Sequence, residues 1–181
     1  MMRLVVITAG GLDLVARVRA LLDVGAEVLV REPTLPEGLP LDRVMLSARM
    51  LGAERVATAL HLPGGSDLAD CRARFPGPLG YSAHTPDEAR AALAAGATTV
   101  FLSPLFAARH GRPALGHAAL APGALDGLFA LGGVEPRHAS SLARAGAAGA
   151  AVQGGVWGAS DPVAAALTYL SAFRAAAAGA Q

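Results

Sequence analysis

Apolar residues arrive along this chain in short unbroken runs: LVVIT at 4–8, EVLVRE at 27–32, RVMLSA at 43–48 and TALHLP at 58–63. Four more follow, LGYSAH at 79–84, TTVFLSP at 98–104, LFALGG at 128–133 and GAAVQGG at 149–155. A strand covered on both faces has no solvent side to keep polar, so such runs predict the parallel sheet of an α/β protein. Helix-like segments lie between them, most clearly in DLVARVRALLDVG, TPDEARAALAAG and EPRHASSLARAG. Gly25, Gly96 and Gly146 follow the last periodic residue of these helices, where a left-handed glycine makes a clean stop. LGA at 51–53 reads as a shortened copy of the same ending. Thr85 stands as a cap with Pro86 first in the helix and Glu88 three residues after the cap, a capping-box arrangement. Glu135-Pro136 and Asp161-Pro162 mark two further helix starts.

Eight strands alternating with helices predict a closed (β/α)8 barrel, a compact TIM barrel filling residues 1–181 as one domain. The chain is short for that fold, so the early helices must be clipped. The proline-rich PTLPEGLPLD at 33–42 is where a full second helix is missing. An open flavodoxin-like sheet is the alternative, and eight strand candidates argue against it.

Composition narrows the partners. With 53% hydrophobic and 16% charged residues the chain is globular, and its net charge of +1 gives no electrostatic reason to expect nucleic acid. The single cysteine, Cys71, excludes an internal disulfide and reads as structural. The opening MMRLVVITAGG has too short an apolar run to span a membrane and lacks a secretion cleavage site, so the expected location is the cytoplasm.

Two successive units end alike, in Gly132-Gly133 and Gly154-Gly155. In a barrel the loops after strands 7 and 8 meet at the catalytic face, and both pairs fall there. Backbone without Cβ can approach an anion and aim N–H groups at it, helped by a following helix N-terminus. The pairs therefore predict a clamp for one phosphate, against the plainer alternative that they are turn formers.

The stretches LGYSAHTPDEARAALAAGATTVFLSPLF, RPALG, ALGGVEPRHASSLARAGAAGAAVQGGVW and DPVAAAL, with VLVRE at 28–32, resemble the thiamine phosphate synthase and TenI superfamily. The resemblance implies a barrel that binds a small phosphorylated thiazole, with the phosphate on the glycine loops. It also implies a tendency to self-associate, to which Trp157 could contribute unless it covers the core.

The superfamily's synthase branch joins a pyrimidine diphosphate to thiazole phosphate using Mg²⁺ held by carboxylates. Here its third-strand Asn-Asp motif reads Ser47-Ala48, leaving Asp67 as the matching second carboxylate. Its Arg-Glu-Lys after strand 2 reads Arg31-Glu32-Pro33, and its lysine and threonine after strand 6 align with His110 and Ala108. The TenI branch tautomerises a carboxythiazole phosphate without metal. Its catalytic histidine after strand 6 is absent, because Ser103-Pro104-Leu105-Phe106 follows the synthase pattern. The favoured expectation is a TenI-type isomerase with no cofactor. The alternatives are a synthase, which alone would need Mg²⁺, and a non-catalytic binder of thiazole or thiamine phosphates.

On the favoured reading His84, ending strand 5, or His110 would shuttle the proton, since histidine titrates near neutrality. Arg31 would hold a carboxylate or a second anion, unless paired with Glu32. Thr8, Ser82, Ser103 and Gln153 are candidate substrate contacts, each with packing as the alternative. His61 reads as a packed or supporting residue, while His117 and His138 fall on exteriors. No histidine cluster has metal-ligand spacing.

Overall fold

The computed structural model describes residues 1–120 and 126–179. All eight runs form strands: β1 (Arg3–Ile7), β2 (Glu27–Val30), β3 (Met45–Ser47), β4 (Ala59–Leu62), β5 (Leu79–Ala83), β6 (Thr99–Leu102), β7 (Leu128–Leu131) and β8 (Gly149–Val152). Each pairs in parallel with the next, and β8 pairs with β1 to close a (β/α)8 barrel. The open flavodoxin-like sheet is thereby excluded. Closure needs Gly149, because a Cβ there would lie 2.0 Å from the Arg3 carbonyl oxygen.

The unbroken apolar runs have a direct cause. Val5, Ile7, Leu29, Phe101, Phe129 and Ala151 fill the barrel interior. Leu4, Val6, Val28 and Val30, alternating with them, join the layer beneath the helices. Both faces of each strand are therefore dry. At the N-terminal end the Arg3 guanidinium lies 4.7 Å over the Phe129 ring.

Among the described residues six α-helices surround the barrel: α1 (Leu14–Asp23), α2 (Ala53–Val56), α3 (Leu68–Arg74), α4 (Pro86–Ala94), α5 (Ala139–Arg144) and α6 (Pro162–Ala178). Gly25, Gly96 and Gly146 are left-handed, with φ of 92°, 92° and 77°. The next amide reaches back five residues in each case, Ala26 to Leu21, Ala97 to Ala92 and Ala147 to Leu142, which is the Schellman closure. Gly52 differs from its expected part. It is left-handed too, but it precedes α2, so it opens a helix instead of ending one.

Thr85 Oγ1 accepts from the Glu88 amide at 3.1 Å, as expected of a cap. The Glu88 carboxylate does not return to the Thr85 amide; it accepts from the amide of His84 at 2.6 Å and so steadies the end of β5. The early helices are shortened as the prolines require: none lies between β2 and β3, and α2 is a single turn. Shortening recurs later, since a 3-10 turn at His117–Leu120 is the only helical element described between β6 and β7. Trp157 is buried and its indole N–H donates to the Gly10 carbonyl at 2.9 Å, so it covers the rim of the core. Among the described residues no helix is long and apolar enough to cross a membrane.

Candidate active site

At the C-terminal ends of the strands lies a cavity of about 260 Å³, lined from all eight strands or the loops just beyond them. Its floor is apolar, formed by Ile7, Leu29, Phe101 and Leu131. His61 belongs to that floor: its ring stacks on Phe101 at 4.5 Å and its Nε2 lies 2.9 Å from Ser82 Oγ. Gly80, its neighbour on β5, makes the room, for a Cβ there would stand 2.5 Å from His61 Nδ1. That Nδ1 is buried without a partner. Burial first, and then the Arg31 charge, push the His61 pKa down to about 3, so the ring is neutral at physiological pH. His61 is packed, one of the two places expected for it, and it also lines the cavity.

The mouth is cationic. Arg31, just past β2, Arg49, past β3, and Arg109, past β6, all line the cavity, and no carboxylate does. The Arg31–Glu32 ion pair weighed above does not form. Glu32 Oε1 instead accepts from Thr8 Oγ1 at 2.5 Å and from the Gly10 amide at 3.0 Å. Thr8 Oγ1 in turn accepts from the Arg31 amide at 3.0 Å. Thr8 is thus fully buried and outside the cavity lining, which corrects its expected place as a substrate contact. Its hydroxyl is engaged in turning Glu32 away. Burial, with the charges of Arg109 and Arg49, holds the Arg31 guanidinium below its ordinary pKa, and Glu32 offsets this only in part.

The structure brings His84, His110, Ser82, Ser103 and Gln153 together around the same cavity. His84 Nδ1 lies 2.9 Å from the Ser103 carbonyl oxygen, which can only accept, so Nδ1 carries a proton and donates it to that carbonyl. His110 (φ 50°) and Gly111 (φ 74°) form a tight two-residue turn, closed by mutual N–H···O bonds of 3.0 Å between Arg109 and Arg112. Gln153 Nε2 donates to the Thr8 carbonyl at 3.2 Å, and its Oε1 accepts from Arg109 Nη2 at 3.3 Å. His117 and His138 flank Phe106 with ring centroids at 4.7 and 4.1 Å, away from the cavity lining.

The glycine pairs follow β7 and β8 as expected, but only Gly132 lines the cavity. Gly132 and Gly133 are left-handed (φ 97° and 69°) and packed on the loop after β6, where a Cβ on Gly133 would meet Ala107 Cβ at 2.5 Å. Gly154 has open space about it, whereas a Cβ on Gly155 would stand 2.6 Å from the Tyr169 hydroxyl. Among the described residues the amides of Gly133, Gly154 and Gly155 donate no hydrogen bond. The first pair leads, beyond Val134 and Glu135, to a helix start where a 3-10 turn (Pro136–His138) runs directly into α5, whereas the second is separated from α6 by turns.

A closed parallel barrel with such a mouth is of the kind that holds phosphorylated small molecules at its strand ends. Comparison with known proteins makes this specific. The family model described as thiamine monophosphate synthase matches residues 42–156. The chain is also 39% identical to the thiamine-phosphate synthase of Anaeromyxobacter dehalogenans (strain 2CP-C), over 93% of this chain and 87% of that one. The chain belongs to the thiamine monophosphate synthase family. Two solved structures share its fold: a thiamine phosphate pyrophosphorylase from Pyrococcus furiosus (TM-score 0.78, 20% identity, 97% of this chain and 96% of that one) and one from Bacteroides thetaiotaomicron (TM-score 0.68, 18% identity, 98% of each chain). The expectation that favoured the TenI branch and its tautomerisation is overturned by the family match and the 39% identical relative, both of the synthase type.

The Mg²⁺ implied by the synthase resemblance does not suit the residues present. Ser47 and Ala48 supply no carboxylate, and hard cations of this kind take anionic oxygen ligands. Asp67 is outside the cavity lining and caps α3, accepting from the Asp70 amide at 3.0 Å. Among the described residues no three His, Cys, Asp or Glu side chains gather as a metal site.

Proposed function

We propose that this protein is a transferase that joins hydroxymethylpyrimidine diphosphate to thiazole phosphate, giving thiamine phosphate and inorganic diphosphate. The observation that carries the reading is the 39% identity to a thiamine-phosphate synthase across nearly the whole chain. In this reaction the thiazole ring nitrogen bonds to the exocyclic methylene of the pyrimidine. The bond from that carbon to the diphosphate oxygen breaks, and diphosphate leaves with the electron pair.

The two anionic substrates match the two anion-binding features of the mouth. The thiazole phosphate docks on the free amides of Gly133, Gly154 and Gly155 beside Gly132. The diphosphate lies at Arg31, just past β2. The rings then lie over Phe101, Leu29 and Leu131, with neutral His61, Ser82 and Ser103 as the polar groups nearest them. A methylene carbon losing its leaving group develops positive charge, and a neutral His61 does not oppose it. No proton moves between carbon atoms, so the shuttle role for His84 or His110 is not carried forward; both serve as polar contacts at the mouth.

Incubating the purified protein with both substrates in Mg²⁺-containing buffer tests the reading. Thiamine phosphate, measured by chromatography after oxidation to its fluorescent thiochrome, should appear with one diphosphate released per product. A folded protein that forms no thiamine phosphate across a range of substrate concentrations would overturn it.

A further inference from the structure

The cluster of arginines at the mouth is an arrangement that folding alone does not favour. Arg31, Arg49 and Arg109 come from three separate loops, after β2, β3 and β6, and face one cavity whose lining holds no carboxylate. None of the three guanidinium groups is within ion-pair distance of a carboxylate among the described residues. Two of the loops are built to keep the cluster uncompensated. Thr8 and the Gly10 amide hold Glu32 away from Arg31. Gln153 and the tight turn at His110-Gly111 hold Arg109 toward the cavity. Like charges gathered at one cavity repel one another, and burial together with that repulsion lowers the Arg31 pKa.

We propose that Arg31, Arg49 and Arg109 form a diphosphate subsite that neutralises its ligand with guanidinium groups and needs no divalent cation. The proposal rests on the synthase reading for its ligand and differs from the resemblance in its chemistry. A diphosphate ester carries several negative charges at neutral pH, and arginine forks match phosphate oxygens in bidentate geometry. The position where an Asn-Asp pair would hold a cation reads Ser47-Ala48, and Arg49 follows it directly. A dication placed among three guanidinium groups and no carboxylate is repelled instead of held.

Binding of inorganic diphosphate, followed by calorimetry in buffer with a chelator and again with Mg²⁺, tests this without requiring turnover. Diphosphate should bind in chelator, and Mg²⁺ should leave the affinity unchanged or weaken it by complexing the free ligand. Arg49→Ala and Arg109→Ala, both at exposed positions, should each weaken binding at least about tenfold with the circular dichroism spectrum unchanged. Arg49→Lys should recover part of the loss. Binding seen only with Mg²⁺, no binding in either buffer, or wild-type affinity in both alanine variants would each overturn the subsite. If diphosphate binds in chelator but no thiamine phosphate forms in the synthase assay, the subsite stands and the synthase reading falls.

Discussion

The Tyr169 hydroxyl donates to the Val134 carbonyl at 2.8 Å and stands 2.6 Å from where a Cβ on Gly155 would lie. One side chain on α6 thus bonds to the loop after β7 and packs against the loop after β8, leaving no room for a side chain at position 155 unless Tyr169 moves. Gly155→Ala should force Tyr169 aside and break a buried hydrogen bond, at a cost of about 1–3 kcal/mol. Thermal denaturation should show the loss. In Gly155→Ala/Tyr169→Phe, where the hydroxyl is gone, the two costs should fall short of additive, since the clash they share is counted once.

A variant at Gly154 tests the proposed phosphate clamp separately from folding. Its added Cβ would meet nothing within 4 Å, so Gly154→Asp should keep the wild-type melting temperature within a degree or two, roughly the range of a neutral surface change. A carboxylate beside the free amides should nevertheless repel phosphate and weaken its binding at least about tenfold, read by titration with inorganic phosphate. Unchanged phosphate affinity in this variant would remove the second glycine pair from the clamp.

Thr8 is expected to act through Glu32. Thr8→Val keeps the shape of a buried side chain but removes the hydroxyl that binds Glu32 and the Arg31 amide, costing about 1–3 kcal/mol of stability. Released, Glu32 can pair with Arg31 and compete with the ligand, so diphosphate binding should fall as well. Adding Glu32→Gln to Thr8→Val should recover the binding while leaving the protein destabilised. If binding stays low in the double variant, Thr8 acts by some route other than charge.

The strands were legible in the sequence because both of their faces are dry, and three helix ends because only glycine suits a left-handed stop. Gly52 misled because a left-handed glycine can stand before a helix as readily as after one. The cavity was legible where a residue sits at a strand end, as with His84, Ser82 and Gln153. Thr8 met the same rule yet turned out to be a support, since its partner Glu32 lies 24 residues away on the neighbouring strand's end. Arg49 and Arg109 each read locally as an ordinary loop cation, and only barrel closure brings them to the same cavity as Arg31. The lost metal ligands pointed toward the TenI branch, whereas the synthase-like Ser103-Pro104-Leu105-Phe106 was the better signal of the family.

His61 carries the clearest pH dependence. The ring is 5% exposed and its pKa in the folded protein is about 3, against 6.5 for the free side chain. Above pH 6.5 it is neutral in both folded and unfolded chains and adds no slope. As pH falls from 6.5 toward 3 the unfolded chain takes up the proton and the folded one does not, so stability drops, by about 4–5 kcal/mol at the bottom of that window. Carboxylates elsewhere contribute their own acid dependence, so the test is a difference between proteins. His61→Gln cannot take up that proton; it should start less stable for want of the Phe101 stack, yet lose stability less steeply between pH 6.5 and 3. Urea unfolding at a series of pH values measures both slopes. Parallel curves for the two proteins would mean that His61 is protonated inside the barrel, and the neutral floor on which the developing cation depends would be lost with it.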